Sequence, residues 1–551
     1  MNSKEKYDLW LSKVKDEELL DQLKKMDDKE IEDSFYKDLS FGTGGLRGTI
    51  GAGSNRMNIY TVNKASQGLA NYLNSHYENP SVVIGYDSRI KSDVFSKYAA
   101  KVFSDNDIKV YLWDRLLPVP TVSFGVRFMK ASAGVMVTAS HNPSKYNGYK
   151  VYGSDGCQIT TKAAEEILGE IENVDIFDGV IVKDSNNIFK VPEECFDEFL
   201  SNVKKQSVLF GEEINKDVKI VYSPLNGTGR EPVCRVLKEC GFTNISVVKE
   251  QEYPDGNFPT CPYPNPEIKE AMALGMEYAK KEEADLLIAT DPDCDRVGIA
   301  VRNNDGEYVL LSGNETGILL LDYICSQRIK HNKMPSGAVV VKTIVSTDLA
   351  DSICKHYGVS VRNVLTGFKF IGEQIGLLEK DNKADSYIFG FEESYGYLTG
   401  SYVRDKDGVD GAFMICEMFA YYKSRGVSLL DKLDELYRTY GYQINSLQSY
   451  EFDGSSGFKK MQDIMANFRN NPLTKINGIK VDRCLDYANG LDGLPKSDVL
   501  KYYLADKSSV VVRPSGTEPK LKTYVSTLRS SKNESIKANK ELADSLKYFF
   551  K

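Results

Sequence analysis

Three aspartates follow one apolar segment of the chain at alternate positions, Asp291, Asp293 and Asp295. Residues 284–290 before them are mostly apolar and predict a buried strand. Carboxylates crowded into one tight loop repel each other, so the arrangement is costly unless a cation holds them. Oxygen ligands from a small rigid loop suit Mg²⁺. The spacing therefore indicates a magnesium site just beyond the end of a strand.

Two other interpretations of this loop compete with the metal site. A calcium loop of the EF-hand type needs Gly at its sixth position and Glu at its twelfth, but Arg296 and Arg302 stand there. A simple Asp-rich turn is the second alternative. The third aspartate, the neighbouring Arg296 and the preceding strand favour the metal site over such a turn.

A second candidate for chemistry is Ser140, which follows the apolar residues 134–139 and opens the sequence SHNP. Ligands of open α/β sheets bind beyond the carboxyl ends of the strands, where this serine is expected. A serine hydroxyl is a weak nucleophile unless a base or a metal activates it. We expect a turn at residues 147–148 to bring Lys150 back toward Ser140. A β-turn capped by Ser and Asn is the alternative.

The longer string TASHNP, followed by YNGYK, resembles the phosphoserine loop of the α-D-phosphohexomutases. In that family the serine carries the phosphoryl group that is handed to and from the sugar. The aspartate loop resembles the family's magnesium loop, whose metal also touches the phosphoserine. The resemblance implies that Mg²⁺ is bound by Ser140 and the three aspartates, with Arg296 beside the substrate.

Two glycine-bearing segments fit the same family. Residues 41–48 read FGTGGLRG and resemble the segment whose arginine, here Arg47, lies beside the reacting phosphoryl group. Glycines let backbone amides approach an anion, and an arginine binds phosphate through two donors. Alone, this segment is equally consistent with a structural turn. Lys369, in residues 366–372, resembles the lysine that reaches the sugar or its phosphate, although a surface lysine is the ordinary alternative.

The last two motifs would hold the substrate. Glu392 and Ser394 match the family's Glu-x-Ser sugar loop, while a helix N-cap with acidic first-turn residues is the alternative. The sequence RPSGTEP can form a backbone nest around phosphate. It resembles the loop for the non-reacting phosphate, which comprises Arg513, Ser515, Gly516 and Thr517.

Composition sets the broad class. The chain has 551 residues, a net charge of −8 and ten cysteines without a Cys-x-x-Cys pair. These values disfavour a nucleic-acid partner, a disulfide framework and a zinc site. We expect neither a signal peptide nor a membrane span, and hence a cytoplasmic protein.

The resemblance extends from about residue 40 to 530 and implies an α/β protein of four domains around a central cleft. Three domains would be α/β with mixed, mostly parallel sheets, and the fourth a C-terminal α+β domain. The expected division is 1–40 for a helical N-terminal extension, 41–205 for the phosphoserine loop, 206–325 for the metal loop, 326–445 for the sugar loop and 446–551 for the phosphate loop.

The implied reaction is phosphoryl transfer within a hexose phosphate, through a phosphoserine enzyme and a bisphosphorylated sugar. Ser140 is the nucleophile, and Lys150 is the expected general base, with its pKa lowered by neighbouring cations. His141 is the alternative proton carrier. Glucose phosphates rank first as substrates, with glucose 1,6-bisphosphate as activator, followed by mannose and pentose phosphates. A sugar-phosphate phosphatase and a binding protein without turnover are the alternatives from other classes, and the oligomeric state cannot be inferred.

Overall fold

The computed structural model describes residues 1–42, 44–452, 454–515 and 520–550. The N-terminal extension forms three short helices, α1 (Ser3–Lys13), α2 (Glu17–Lys25) and α3 (Asp28–Phe35). Each is capped by an Asn or Asp side chain that accepts a backbone N–H of the first turn. The indole of Trp10 packs on Tyr60 of the following domain, with ring centroids 5.7 Å apart. The extension therefore lies against the first domain, as its apolar spacing predicts.

The first domain is a six-stranded mixed sheet with helices on its faces. Its elements are β1 (Gly45–Thr49), α4 (Ile59–His76), β2 (Ser81–Tyr86), α5 (Ser92–Asp105), β3 (Lys109–Leu112), α6 (Val119–Met129), β4 (Ala133–Val137), β5 (Tyr146–Gly153), α7 (Thr161–Glu172), β6 (Ile188–Lys190) and α8 (Glu193–Lys204). The strand order is β1-β5-β4-β2-β3-β6. Strands β2 and β4 are parallel, so their carboxyl ends meet at one edge of the sheet.

The second domain repeats this plan on a smaller scale. Its elements are β7 (Ile220–Ser223), α9 (Arg230–Glu239), β8 (Ile245–Val247), α10 (Lys269–Glu282), β9 (Leu286–Thr290), β10 (Val297–Arg302) and β11 (Tyr308–Leu311). The order is β11-β10-β9-β7-β8, with β7, β8 and β9 parallel. All residues of β9 are buried, which explains why its sequence is a continuous apolar run.

The third domain contains α11 (Gly313–Lys330), β12 (Val339–Thr343), α12 (Leu349–Tyr357), β13 (Ser360–Val364), α13 (Phe368–Lys380), β14 (Tyr387–Glu392), β15 (Gly396–Leu398), α14 (Gly408–Lys423) and α15 (Leu429–Tyr440). Its strands are ordered β13-β12-β14-β15. A domain boundary near residue 326 would fall inside α11, which packs against β14. The capping box at Ser312 marks the start of this helix and is the stronger boundary signal.

The fourth domain is α+β, and neighbouring strands of its sheet run antiparallel. Its elements are β16 (Tyr442–Glu451), α16 (Gly454–Asn470), β17 (Lys475–Ile476), β18 (Ile479–Asp486), β19 (Leu500–Leu504), β20 (Ser509–Pro514), β21 (Lys520–Arg529) and α17 (Lys532–Leu546). Helices α16 and α17 cover the sheet and close a separate apolar core around Phe468 and Tyr502.

The expected fold class is confirmed, with three α/β domains and a C-terminal α+β domain around a central cleft. One local prediction is wrong. Residues 147–148 do not form a turn but lie inside β5, which pairs antiparallel with β4 and returns Lys150 beside Met136. None of the helices among the described residues has the length and apolar content needed to cross a lipid bilayer.

Candidate active site

The central cleft has a volume of about 1410 Å³ and is lined by residues of all four domains. Of the residues expected from the sequence, the following line it: Arg47, Ser140, His141, Lys150, Asp295, Arg296, Lys369, Glu392, Ser394 and Arg513. Asp291 and Asp293 are fully buried beneath this surface. Ser515 is described but does not line the cleft, and Gly516 and Thr517 lie outside the described residues.

Ser140 lies in the loop after β4, where its side chain faces the second domain. Its hydroxyl donates to Asp291 Oδ2 at 2.8 Å, and His141 Nδ1 lies 3.1 Å from the serine Oγ. Its backbone N–H donates to Thr138 Oγ1 at 2.8 Å. The serine is 4% exposed, so its hydroxyl is held at the floor of the cleft.

The three aspartates form a compact set of oxygen ligands. One carboxylate oxygen from each of Asp291, Asp293 and Asp295 lies within 4.8 Å of the others. The Oδ1 atoms of Asp293 and Asp295 are buried and have no hydrogen-bond partner. Buried carboxylate oxygens left unpaired are costly, and a hard divalent cation satisfies them. The residues present therefore fit a bound metal ion such as Mg²⁺.

The surroundings shift the pKa values of Asp291 and Asp295 in opposite directions. Burial, then the carboxylates of Asp293 and Asp295, raise the pKa of Asp291 well above its ordinary value. Burial also acts to raise the pKa of Asp295, but Lys406, Lys150 and Arg296 outweigh it and hold that pKa below its usual range. Asp295 is therefore the carboxylate that the surrounding cations keep ionised.

Lys150 projects from β5 toward the aspartates. Its Nζ lies 2.9 Å from Asp293 Oδ2 and 3.4 Å from Asp295 Oδ2. The expectation that neighbouring cations lower its pKa is not met. Burial does lower it and Lys406 adds to that, but the two carboxylates outweigh both effects and raise the pKa of Lys150. The ion pairs of Lys150 are therefore the reason that its pKa is raised and not lowered.

Arg47 and His141 both line the cleft, His141 as the residue after Ser140 and Arg47 from a neighbouring strand. Arg47 is on β1, which pairs with β5 so that Arg47 faces Gly148. Desolvation in the cleft wall, followed by the charges of Arg296 and Arg47, lowers the pKa of His141 well below its ordinary value. The imidazole beside Ser140 is therefore neutral near pH 7 and able to accept a proton.

The sugar loop follows β14 and is fixed from within the third domain. Glu392 accepts the backbone N–H of Gly367 at 2.9 Å, and burial raises the pKa of its carboxyl to about 7. Glu393, in the middle of the motif, accepts the hydroxyl of Thr343 at 3.0 Å. Ser394 lines the cleft beside them. All three residues of the motif thus line the cleft, and Glu393 also ties the loop to the end of β12.

Basic side chains of the third and fourth domains face the same cleft. Arg513 on β20 is the cross-strand partner of Lys522 on β21, and both line the cleft. Burial, then the charge of Arg513, lowers the pKa of Lys522. Lys369, near the start of α13, also has its pKa lowered, mainly by burial. A bound anion would offset the repulsion between the charges of Arg513 and Lys522, so this part of the cleft is suited to bind an anion.

Comparison with protein-family models decides the family. Four models of the phosphoglucomutase/phosphomannomutase family match in order: alpha/beta/alpha domain I over residues 38–176, domain II over 197–306, domain III over 312–440 and the C-terminal domain over 459–539. The chain belongs to this family. The resemblance drawn from the motifs is thereby confirmed, and the protein is an enzyme, a phosphohexomutase.

Full-length relatives agree with this assignment. A phosphoglucomutase of Staphylococcus aureus (strain MSSA476) is 38% identical over 536 residues, covering 94% of this chain and 95% of the relative. A phosphoglucomutase/phosphomannomutase family protein of Burkholderia thailandensis has a solved structure with a TM-score of 0.68 at 16% identity, covering 92% of this chain and 97% of that one. The open form of pp63/parafusin, a phosphoglucomutase of Paramecium, gives a TM-score of 0.70 at 18% identity, covering 93% and 96%. At these identities the two structures show the shared fold.

Three functional loops of this phosphohexomutase place a non-glycine residue in the left-handed region. They are the serine loop at Ser140 (φ 52°), the aspartate loop at Cys294 (φ 51°) and the sugar loop at Tyr395 (φ 65°). Each such residue costs about 1–3 kcal/mol and persists only where its surroundings hold it. Tight packing does so here: a Cβ on Gly313 would lie 2.1 Å from the carbonyl oxygen of Glu393 in the sugar loop.

Two groups of residues were missed by the sequence reasoning. Asp87 and Arg89 follow β2, and the hydroxyl of Thr138 lies 2.6 Å from Asp87 Oδ2 and 3.1 Å from Asp293 Oδ2. Strands β2 and β4 are parallel neighbours, so their carboxyl ends lie at the same edge of the sheet. The expectation that ligands bind beyond these ends, which led to Ser140, could also have led to the polar residues after β2. Lys406, whose Nζ lies 2.9 Å from Asp295 Oδ2, gave no such signal because it lies far from the end of β15, just before α14.

Proposed function

We propose that this phosphohexomutase is a phosphoglucomutase that interconverts glucose 1-phosphate and glucose 6-phosphate. The observation that carries the proposal is the position of Ser140. Its hydroxyl contacts Asp291 at the floor of a cleft that Glu392 and Arg513 also line. A nucleophile, a cation site, hydroxyl acceptors and a basic anion site thus share one cleft, which phosphoryl transfer on a sugar phosphate requires.

In the proposed mechanism Ser140 rests as phosphoserine, which adds roughly two negative charges to the floor of the cleft. Arg47 from β1 and Arg296 from the aspartate loop line the cleft beside it and would offset that charge. Asp291, Asp293 and Asp295, with the serine oxygen, would hold Mg²⁺. When bound, this ion would supply charge neutralisation at the phosphoryl group.

The transfer breaks the bond between phosphorus and the serine oxygen and forms one to a sugar hydroxyl oxygen. The hydroxyl loses its proton to a group of the protein, and the serine oxygen regains one when the phosphoryl group returns. Lys150 and His141 are the two proton carriers of the proposal. Because its ion pairs raise the pKa of Lys150, the lysine would be protonated and could give a proton. The neutral imidazole of His141, whose Nδ1 lies 3.1 Å from the serine oxygen, would be the group that accepts one.

The first transfer yields glucose 1,6-bisphosphate, which must turn over in the cleft before its other phosphate returns to Ser140. The sugar must therefore be held in two orientations. Glu392 and Ser394 would bind hydroxyls that both orientations present, and Lys369 would reach the sugar or its phosphate. Arg513, Ser515, Gly516 and Thr517 would bind the phosphate that is not reacting. Added glucose 1,6-bisphosphate would then act as an activator by rephosphorylating Ser140 in molecules that have lost the phosphoryl group.

The proposed substrate preference rests on the sugar loop, which resembles that of glucose-phosphate enzymes. The long N-terminal extension and residues 42–47 resemble a branch that contains phosphoglucomutases, phosphomannomutases and phosphopentomutases. A sugar hydroxyl that no buried partner reads contributes about 1–3 kcal/mol of discrimination. Glucose phosphates are therefore proposed first, with mannose and pentose phosphates as weaker substrates.

The test is conversion of glucose 1-phosphate by the parent chain and by Ser140→Ala, with Mg²⁺ and a trace of glucose 1,6-bisphosphate. The proposal expects glucose 6-phosphate from the parent and none from the variant. Release of inorganic phosphate instead would make the protein a phosphatase. A higher kcat/KM for mannose or ribose phosphates than for glucose 1-phosphate would reassign the preferred substrate. The absence of any turnover would contradict the proposed function.

A further inference from the structure

We infer that Arg89 is a positioning residue for phosphoryl transfer, which holds the loop of Ser140 in its reactive conformation. The inference rests on the proposed role of Ser140 as the phosphoryl carrier. Arg89 follows β2, and its guanidinium is fully buried behind the serine loop. It belongs to none of the motifs by which the site was predicted.

The guanidinium donates to four backbone carbonyls of one loop. Its Nε donates to the carbonyl of Ser140 at 3.1 Å, and its Nη1 donates to those of Pro143 and Tyr146 at 3.0 and 3.1 Å. Its Nη2 donates to the carbonyls of Ser140 and Asn142. The planar fork of an arginine presents five N–H donors in fixed directions, which matches this ring of carbonyls.

These carbonyls belong to the connection between β4 and β5, where few strand hydrogen bonds can hold the backbone. Ser140 itself has a φ of 52°, a backbone conformation that residues other than glycine rarely adopt. The arginine fixes the carbonyl of Ser140 by two hydrogen bonds. With its carbonyl fixed there and its N–H fixed on Thr138, the serine directs its hydroxyl at Asp291.

The arginine is in turn fixed by both domains. Asp87 Oδ2 lies 3.5 Å from its Nε, and the ring of Phe258 from the second domain lies under its guanidinium at 5.1 Å. Gly256 approaches so closely that a Cβ there would lie 2.5 Å from the backbone nitrogen of Ile90. The second domain thus contacts the Arg89 turn and also carries the aspartate loop. These contacts fix the position of Ser140 relative to the three aspartates.

Arg89 acts through the loop and not on the substrate. Its donors already bind backbone carbonyls, and it is absent from the residues that line the cleft. A direct ligand of the phosphoryl group would change both KM and kcat. A positioning residue should change kcat while substrate binding, carried by other residues, remains.

The test uses Arg89→Lys and Arg89→Gln, which keep three and two donors respectively and cannot reach all four carbonyls. A shift of the nucleophile by about 1 Å can cost about 100-fold in rate, so kcat per folded molecule should fall by that order. KM for glucose 1-phosphate should stay within about threefold of the parent value. Hydrogen–deuterium exchange should be faster at residues 140–146 and unchanged in β2 and β4.

The matched control is Arg328→Lys, since Arg328 is another partly buried arginine that donates to a carbonyl, that of Lys333, outside the cleft. The control should retain the parent kcat. The inference is overturned if kcat per folded Arg89 variant stays within about threefold of the parent. It is also overturned if KM rises while kcat is kept, or if the exchange of residues 140–146 is unchanged.

If neither Arg89 variant folds, Phe258→Leu takes their place, because it removes the ring under the guanidinium and leaves every hydrogen bond of Arg89. It should lower kcat without raising KM and speed exchange at residues 140–146. Unchanged kcat and exchange would overturn the inference. Turnover by the parent chain tests the proposed function separately, and the exchange measurement does not depend on turnover, so the two failures are distinguishable.

Discussion

The hydroxyl of Ser140 and the carboxylate of Asp291 are 151 residues apart in the chain and lie 2.8 Å apart in the structure. The serine belongs to the first domain and the aspartate to the second. Each follows a fully buried strand, β4 or β9, so each stands at the carboxyl edge of its own sheet. The reactive centre is therefore assembled where two sheet edges meet, and its geometry depends on how the two domains pack.

Metal binding should stabilise the folded protein measurably. The three aspartates bind a cation only when folded, so Mg²⁺ at 100 times its Kd should add about 2.7 kcal/mol to the free energy of unfolding. EDTA should reverse the gain in Tm. Asp293→Asn should weaken the response to Mg²⁺, because it removes one of the three carboxylate ligands.

Asp305→Asn, on an exposed turn, is the matched control and should respond to Mg²⁺ as the parent does. Differential scanning fluorimetry with and without EDTA measures each effect. An Asp293→Asn protein whose Tm rises with Mg²⁺ as much as that of the parent would contradict a metal site at these aspartates.

The Glu392→Gln variant should show that ionisation of this buried carboxyl lowers the stability of the folded protein at high pH. Burial raises the pKa of Glu392 from 4.5 to about 7 in the folded protein. Between those pH values the folded state binds more protons than the unfolded state, so this group lowers stability as pH rises through the window. The glutamine cannot ionise, so the variant should have a higher Tm than the parent at pH 8, and this advantage should vanish near pH 4.5.

The same variant should lose activity, because an ionised acceptor of sugar hydroxyls is replaced by a neutral one. A hydrogen bond to a charged group contributes about 1.5–3 kcal/mol, which corresponds to a loss of about 10- to 100-fold in kcat/KM. Glu165→Gln, an exposed position on α7, should change neither property. Equal Tm differences at pH 8 and pH 4.5 would refute the role of the buried charge.

Arg513→Ala should weaken binding of the non-reacting phosphate. Loss of a charge-assisted hydrogen bond of about 1.5–3 kcal/mol would raise KM for glucose 1-phosphate by about 10- to 100-fold. Inorganic phosphate should also become a weaker competitive inhibitor. Steady-state kinetics with Arg483→Ala, a strand residue of the same domain outside the cleft, provides the control. An unchanged KM would remove Arg513 from the binding site.

Lys150→Met and His141→Gln should show which group carries the proton. Removal of a general acid or base costs about 10²- to 10⁴-fold in rate, so the variant of the true proton carrier should lose kcat by that order. Stopped-flow single-turnover assays read the chemical step directly. Lys162→Met, at an exposed position of α7, should keep the parent rate. If both cleft variants keep the parent rate, neither group is the proton carrier.

Much of the site could be predicted because its residues follow apolar strands. Ser140 and Asp291 come directly after β4 and β9, and Glu392 ends β14, so a strand-end rule reaches all three. The buried strands are continuous apolar runs, which is why β2 was expected at the residues where it occurs.

The remaining features depend on tertiary packing. The sign of the pKa shift of Lys150 follows from carboxylates in another domain, which no local pattern reveals. Lys406 reaches Asp295 from a loop of the third domain without a strand signal. Residues 147–148 looked like a turn because Asn-Gly favours one, but pairing of β5 with both β1 and β4 overrides that preference.

The most direct test of the account follows a labelled phosphoryl group from Ser140. Radiolabelled phosphoenzyme, prepared with labelled glucose 1,6-bisphosphate, would be mixed with unlabelled glucose 1-phosphate in a single turnover. The account predicts that the label leaves the protein and appears in hexose phosphate, and that Ser140→Ala takes up none. Label that is released as inorganic phosphate, or that is carried equally by Ser140→Ala, would contradict the role of Ser140 as the phosphoryl carrier of a mutase.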